Sequence, residues 1–62
     1  MKPLRHYEDR AVDALSRYYR ARRKSRQYDT ERTNLACTNA RADAIDRLRE
    51  LHEAERYFGV RR

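Results

Sequence analysis

Small and apolar residues recur along the first half of the chain at alternating spacings of three and four, which is the period of an amphipathic α-helix. Val12, Leu15 and Tyr19 widen the stripe in its middle, and Pro3 stands before it, where a helix tolerates proline in its first turn. We therefore predict a first helix over about residues 3–27. The members of the stripe are Leu4, Tyr7, Ala11, Ala14, Tyr18, Ala21, Ser25 and Tyr28.

A second stripe with the same spacing occupies the other half of the chain, and Leu35 and Ile45 lie beside it. Gly59 follows it, as expected of a helix that ends in a left-handed residue. The segment "QYDTERTN" between the stripes is rich in residues that favour caps and turns. We therefore predict a second helix over about residues 31–58. The second stripe consists of Cys37, Ala40, Ala44, Leu48, Leu51, Glu55 and Phe58.

Two helices joined by a short turn predict an all-α fold, an antiparallel two-helix hairpin that dimerises into a four-helix bundle. A competing interpretation breaks the second helix near Thr38 and Asn39, two poor helix formers, and gives three helices with the possibility of a helix-turn-helix. The residues predicted to form the apolar interface are Tyr7, Ala11, Leu15, Tyr18, Ile45, Leu48, Leu51 and Phe58.

The composition explains why self-association is expected. Only nine of the 62 residues are Leu, Ile, Val or Phe, which together with the net charge of +6 is typical of chains that do not fold alone. Eight alanines and five tyrosines favour folding, because small residues let helices approach and tyrosine rings bury area. A single domain that gains its core by homodimerisation reconciles the two tendencies.

The net positive charge resides in the first 27 residues of the chain. Residues 1–27 hold nine basic and three acidic side chains, whereas residues 28–62 hold seven of each. The stretch "YYRARRKSR" is its most basic part, and with one preceding arginine it defines what we call the basic segment. Arginine favours phosphate, since its planar guanidinium binds two oxygens at once, and Tyr19 adds a ring on which bases can stack. The basic segment consists of Arg17, Arg20, Arg22, Arg23, Lys24 and Arg26.

Two functions fit these features. The first is a nucleic-acid-binding accessory or regulatory protein that contacts the phosphates of DNA or RNA through the basic segment. In plan, though not in sequence, such a dimer resembles the two-helix RNA-binding regulators of plasmid copy number. The second is a protein-binding module, for example a phage-encoded modulator of a host protein, that uses the Tyr/Leu/Phe stripe. The excess of arginine over lysine, 14 to 2, fits a GC-rich genome such as that of an actinobacterium or its phage.

Catalysis, cofactors and metals are not expected. His52-Glu53 lacks the second histidine of a zinc-protease motif, because position 56 is Arg. His6, His52 and Glu55 can approach one another in a hairpin, although a polar patch is the stronger interpretation. Cys37 is the single cysteine, which excludes an internal disulfide and fits a reducing, cytoplasmic setting. No apolar run approaches the roughly 20 residues that span a bilayer.

Overall fold

A computed structural model of the chain describes residues 2–59 and contains two α-helices, α1 (Leu4–Tyr28) and α2 (Glu31–Tyr57), which pack against each other along their length. The predicted all-α helical hairpin is confirmed, and the observed ends lie within one residue of the predicted ones. None of the described residues forms a strand. Nor does either helix have the length and apolarity needed to cross a membrane.

The start of α1 differs slightly from the expected one. Pro3 stands just outside the helix with an extended ψ of 150°, and its carbonyl accepts the first hydrogen bond, from the N–H of His6 at 3.0 Å. No side chain caps this end. The fixed φ of proline, here −57°, therefore orients the chain for entry into the helix without contributing a donor.

The turn between the helices is short because two adjacent residues end α1 and begin α2. Asp29 adopts a left-handed conformation (φ 44°, ψ 47°) and donates its N–H to the carbonyl of Ser25 at 2.9 Å, which ends α1. Thr30 caps α2 in a capping box: its Oγ1 accepts from the N–H of Thr33 at 3.2 Å, and Thr33 Oγ1 accepts from the N–H of Thr30 at 3.1 Å. The residues that the sequence marks as turn formers therefore form the turn.

The alternative with three helices is wrong, because α2 runs without interruption through Thr38 and Asn39. The hydroxyl of Thr38 donates to the carbonyl of Asn34, four residues earlier, at 3.1 Å. A threonine that bonds back to its own helix does not act as an N-cap, so the helix continues. At the other end, Gly59 has a φ of 71°, and the predicted left-handed closing residue is confirmed.

The core of the hairpin consists of alanine. Ala11 and Ala14 of α1 and Ala44 and Ala54 of α2 are the only buried residues in the range 2–59, each at most 3% exposed. Methyl side chains permit close helix approach but bury little area per residue, so the hydrophobic stabilisation of the isolated hairpin is small. The chain measures 43 × 20 × 13 Å, a rod with two broad faces.

Candidate nucleic-acid interface

The basic segment lies on the second half of α1, and all six of its side chains are exposed. Arg17 pairs with Asp13 one turn earlier, with 2.8 Å between Nη2 and Oδ2. The other five cations form no ion pair with a carboxylate of residues 2–59. Their charges are therefore presented to solvent uncompensated by an adjacent anion.

Two arginines in the middle of the hairpin differ from the five unpaired cations of the basic segment. Arg47 contacts both Asp43 at 3.5 Å and Glu50 at 2.7 Å, and Arg10 reaches Glu50 of the other helix at 3.7 Å. Both guanidinium groups therefore have a carboxylate partner within the chain. Other arginines of α2, such as Arg32, Arg49 and Arg56, are also without a carboxylate partner among residues 2–59, so the basic segment is distinguished by the clustering of five unpaired cations within residues 20–26.

Two open grooves flank the basic segment. The larger, of about 610 Å³, lies on the side where Ala21 of α1 faces Thr33 and Ala36 of α2, and its cationic wall is contributed by α1. The smaller lies on the other side of the helix. Arg23 borders both grooves. The cations of the larger groove are Arg17, Arg20, Arg23 and Lys24. The smaller groove is lined by Tyr19, Arg22, Arg23 and Arg26.

The tyrosines divide into two groups. Tyr18 is half-buried, whereas Tyr19 is 57% and Tyr28 60% exposed. The rings of Tyr18 and Tyr19 are 5.5 Å apart and tilted by 41°, so the half-buried ring supports the exposed one. Tyr19 thus stands beside three arginines with an accessible ring face, an arrangement that suits the stacking of an unpaired base.

The residues predicted to form the apolar interface are not all brought together between the helices. Ala11 is buried there, and four others are half-buried, but Ile45, Leu48 and Phe58 remain between 40% and 45% exposed. Val12 is more exposed still, at 63%, and sequence reasoning did not place it among the site residues. The periodicity placed Val12 at the edge of the first stripe, and this position was the signal for its exposure. The four half-buried residues are Tyr7, Leu15, Tyr18 and Leu51.

The described residues offer little for metal or covalent chemistry. No group of three or more His, Cys, Asp or Glu side chains in the range 2–59 could hold a metal ion, so His6, His52 and Glu55 are not assembled into a site. Cys37 is a free, half-buried thiol. The same part of the chain leaves no buried side-chain nitrogen or oxygen without a hydrogen bond.

No known protein family, no curated protein and no solved structure matches this chain.

Proposed function

We propose that this chain is a small non-enzymatic nucleic-acid-binding accessory or regulatory protein, which acts as a homodimer and contacts phosphates through the basic segment. The observation that supports this is the set of five cations within residues 20–26 that have no carboxylate partner in residues 2–59. A cation that already has a partner must break that contact to bind phosphate, whereas these cations need not.

The two grooves provide the geometry for a polyanion. Each is open to solvent and lined by at least three cations along a helix that rises about 1.5 Å per residue. A phosphate backbone that follows the helix is neutralised at several points, and each neutralised phosphate releases counterions. Binding of this kind depends steeply on salt and only weakly on sequence.

The deciding experiment measures binding of duplex DNA, single strands and structured RNA across a salt series. The test variant is Arg20→Gln/Arg23→Gln/Lys24→Gln, which removes three exposed charges from the basic segment. We expect the magnitude of the negative slope of log K against log salt concentration to decrease by about three, since each lost phosphate contact reduces this magnitude by about one. The affinity should fall with it.

The matched control is Arg32→Gln/Arg49→Gln/Arg56→Gln, which removes the same charge from exposed positions of α2. These arginines also form no ion pair with a carboxylate of residues 2–59. The control should retain most of the slope. An equal loss in both variants would show that only net charge matters, and absence of binding at low salt would overturn the proposal.

A second candidate function, a protein-binding module, is favoured by the exposure of Val12, Ile45 and Leu48. An amphipathic surface of this kind can lie in the groove of another protein. Pull-down with and without nuclease separates the two candidates. Partners that survive nuclease treatment and are lost in Leu48→Glu support this function, and recovery of nucleic acid supports the first.

A further inference from the structure

The two helices carry the same pattern relative to their buried alanines. In α1, Ala11 is followed at offsets of one, four and eight by Val12, Leu15 and Tyr19. In α2, Ala44 is followed at the same offsets by Ile45, Leu48 and His52. At about 100° per residue these offsets lie on one flank of each helix, beside the line of contact.

Equal offsets place these residues on the same broad face of the hairpin. An antiparallel pair of helices has an approximate two-fold axis perpendicular to the plane that contains both helices. Rotation about this axis exchanges the two helices but maps each broad face of the hairpin onto itself. Residues with the same offset in the two helices therefore lie on the same broad face. The opposite flank of each helix provides a check that equal offsets share a face. Arg10 precedes Ala11 by one residue and Glu50 follows Ala44 by six. At about 100° per residue, both offsets fall on the flank opposite to that of Val12 and Ile45. These two side chains contact each other at 3.7 Å, as residues that share a face must.

The register also brings the apolar residues to one level of the rod. Arg10 pairs with Glu50, and Ser25 hydrogen-bonds Asn34 near the turn. The residue numbers of two positions that face each other across the hairpin therefore have a sum of about 60. This register sets Val12 beside Leu48 and Leu15 beside Ile45. We call the resulting surface the apolar face. It consists of Val12, Leu15, Ile45 and Leu48, and Tyr19 lies at its border in the smaller groove.

The exposed area is larger than a compact monomer of this size requires. The chain exposes 5352 Å², whereas the scaling for folded monomers gives about 4300 Å² at a mass of 7.6 kDa. The difference, about 1000 Å², is close to the roughly 800 Å² that each partner buries in a standard interface. A broad face of 43 × 20 Å can supply this area.

We propose that a second copy of this chain covers the apolar face, so that two hairpins form a four-helix bundle. This identifies the surface behind the dimer of the proposed function, and it is testable without nucleic acid. The opposite broad face is less suited to burial, because its middle carries the linked ion pairs of Arg10, Glu50 and Arg47. Removing such charges from water costs more than their attraction returns.

The charges near the turn select the relative direction of the two copies. Arg22 and Arg26 border the apolar face close to the turn, and Glu8 lies on the same flank near the open end of the hairpin. If both turns met at one end of the bundle, the arginines of both copies would repel one another. We infer that the turns lie at opposite ends, so that the arginines of one copy lie towards the end of the other copy that carries Glu8.

The first test is the mass in solution, measured by sedimentation or light scattering from about 1 to 200 μM without nucleic acid. Leu48→Glu places a charge in the middle of the apolar face at a side chain already 41% exposed in the single hairpin. Leu35→Glu makes the same chemical change at a side chain 60% exposed. Leu35 precedes Ala44 by nine residues, which corresponds, beyond whole turns, to about half a rotation of the helix. The side chain of Leu35 therefore points away from α1 and from the apolar face.

We expect the wild-type chain and Leu35→Glu to have twice the chain mass, and Leu48→Glu to have the mass of one chain, 7.6 kDa. Ile45→Glu should act like Leu48→Glu. Loss of helical circular dichroism together with the single-chain mass also supports the proposal, since the core is then completed only by association. A wild-type chain that is monomeric at every concentration would overturn it, and so would equal dissociation of Leu35→Glu.

The second test measures the direction. In a Cys37→Ser background, Gln27→Cys provides one exposed labelling site per chain near the turn. Two spin labels should be about 40 Å apart if the turns lie at opposite ends, given about 1.5 Å per residue and a centre near residue 13. A separation near 20 Å would contradict the opposed arrangement.

Failure of this proposal and failure of nucleic-acid binding are distinguishable. Leu48→Glu keeps the basic segment, and the variant Arg20→Gln/Arg23→Gln/Lys24→Gln keeps the apolar face. A monomer that binds polyanions with a steep salt dependence would reject only the dimer. A dimer that binds no nucleic acid would reject only the proposed function.

Discussion

Arg10 Nη1 lies 3.7 Å from Glu50 Oε2 and forms the one ion pair that links α1 to α2 among residues 2–59. Both side chains are about 40% exposed, so solvent screens their attraction. In a double-mutant cycle of Arg10→Gln and Glu50→Gln, we expect a coupling below about 0.5 kcal/mol by urea unfolding. Glu50→Gln alone should cost more than Arg10→Gln, because Glu50 also accepts from Arg47 at 2.7 Å. A coupling of 2 kcal/mol or more, roughly the range of buried pairs, would be incompatible with this exposed geometry.

The alanine core gives the strongest expected effect on stability. Ala44 is 3% exposed between the helices, so Ala44→Leu must push them apart and should lower the free energy of unfolding by about 1–3 kcal/mol. Ala42→Leu is the control, because Ala42 is exposed two residues away and leucine is nearly as good a helix former. Denaturant midpoints should be compared at one protein concentration, since association adds to the apparent stability. A tolerated Ala44→Leu would mean that the helices are not in close contact there.

The capping box at the turn is worth testing against a threonine in the middle of the same helix. Thr30→Ala removes the acceptor for the N–H of Thr33 and should cost about 1 kcal/mol. Thr38→Ala removes only a hydrogen bond to the carbonyl of Asn34 and inserts a better helix former, so its effect should be neutral or stabilising. Thermal unfolding followed by circular dichroism checks both variants. The reverse order of the two effects would place the start of α2 elsewhere.

The fold could be predicted from the sequence because its signals are local. The spacing of the two stripes gave both helices, the cap-forming residues around Thr30 gave the turn, and Gly59 marked the last left-handed residue. The possible break at Thr38 arose from intrinsic propensity alone. The hydroxyl of Thr38 bonds within the helix, and no competing cap forms, so the helix passes through.

The distribution of exposed side chains could not be read from periodicity in the same way. A stripe shows which residues share a flank, but the distance between the helices decides how much of each is covered. Alanines at positions 11, 14, 44 and 54 form the contact, and Ile45 and Leu48 remain at its edge. Likewise, composition indicates that α1 is basic, but the pairing of Arg17 with Asp13 depends on the folded positions of their side chains. So does the lack of a carboxylate partner, among residues 2–59, for the other five cations of the basic segment.

The two sides of the basic segment should contribute unequally to nucleic-acid binding. Arg22 and Arg26 share the smaller groove with Tyr19, next to the apolar face that we assign to a second copy, whereas Arg20 and Lys24 line the larger groove away from it. We therefore expect Arg20→Gln/Lys24→Gln to lower the salt slope by about two, the full value for two phosphate contacts.

Arg22→Gln/Arg26→Gln removes the same charge and serves as the matched comparison, with an expected change of less than one in slope. Its reduced effect follows from the partner copy, which limits the approach of a phosphate backbone to that side. Fluorescence anisotropy with one labelled RNA hairpin and one labelled DNA duplex is sufficient for the comparison. If the smaller groove proved to be the stronger contributor, the nucleic acid would bind where the second copy is placed, and the dimer surface would have to be sought on the other broad face.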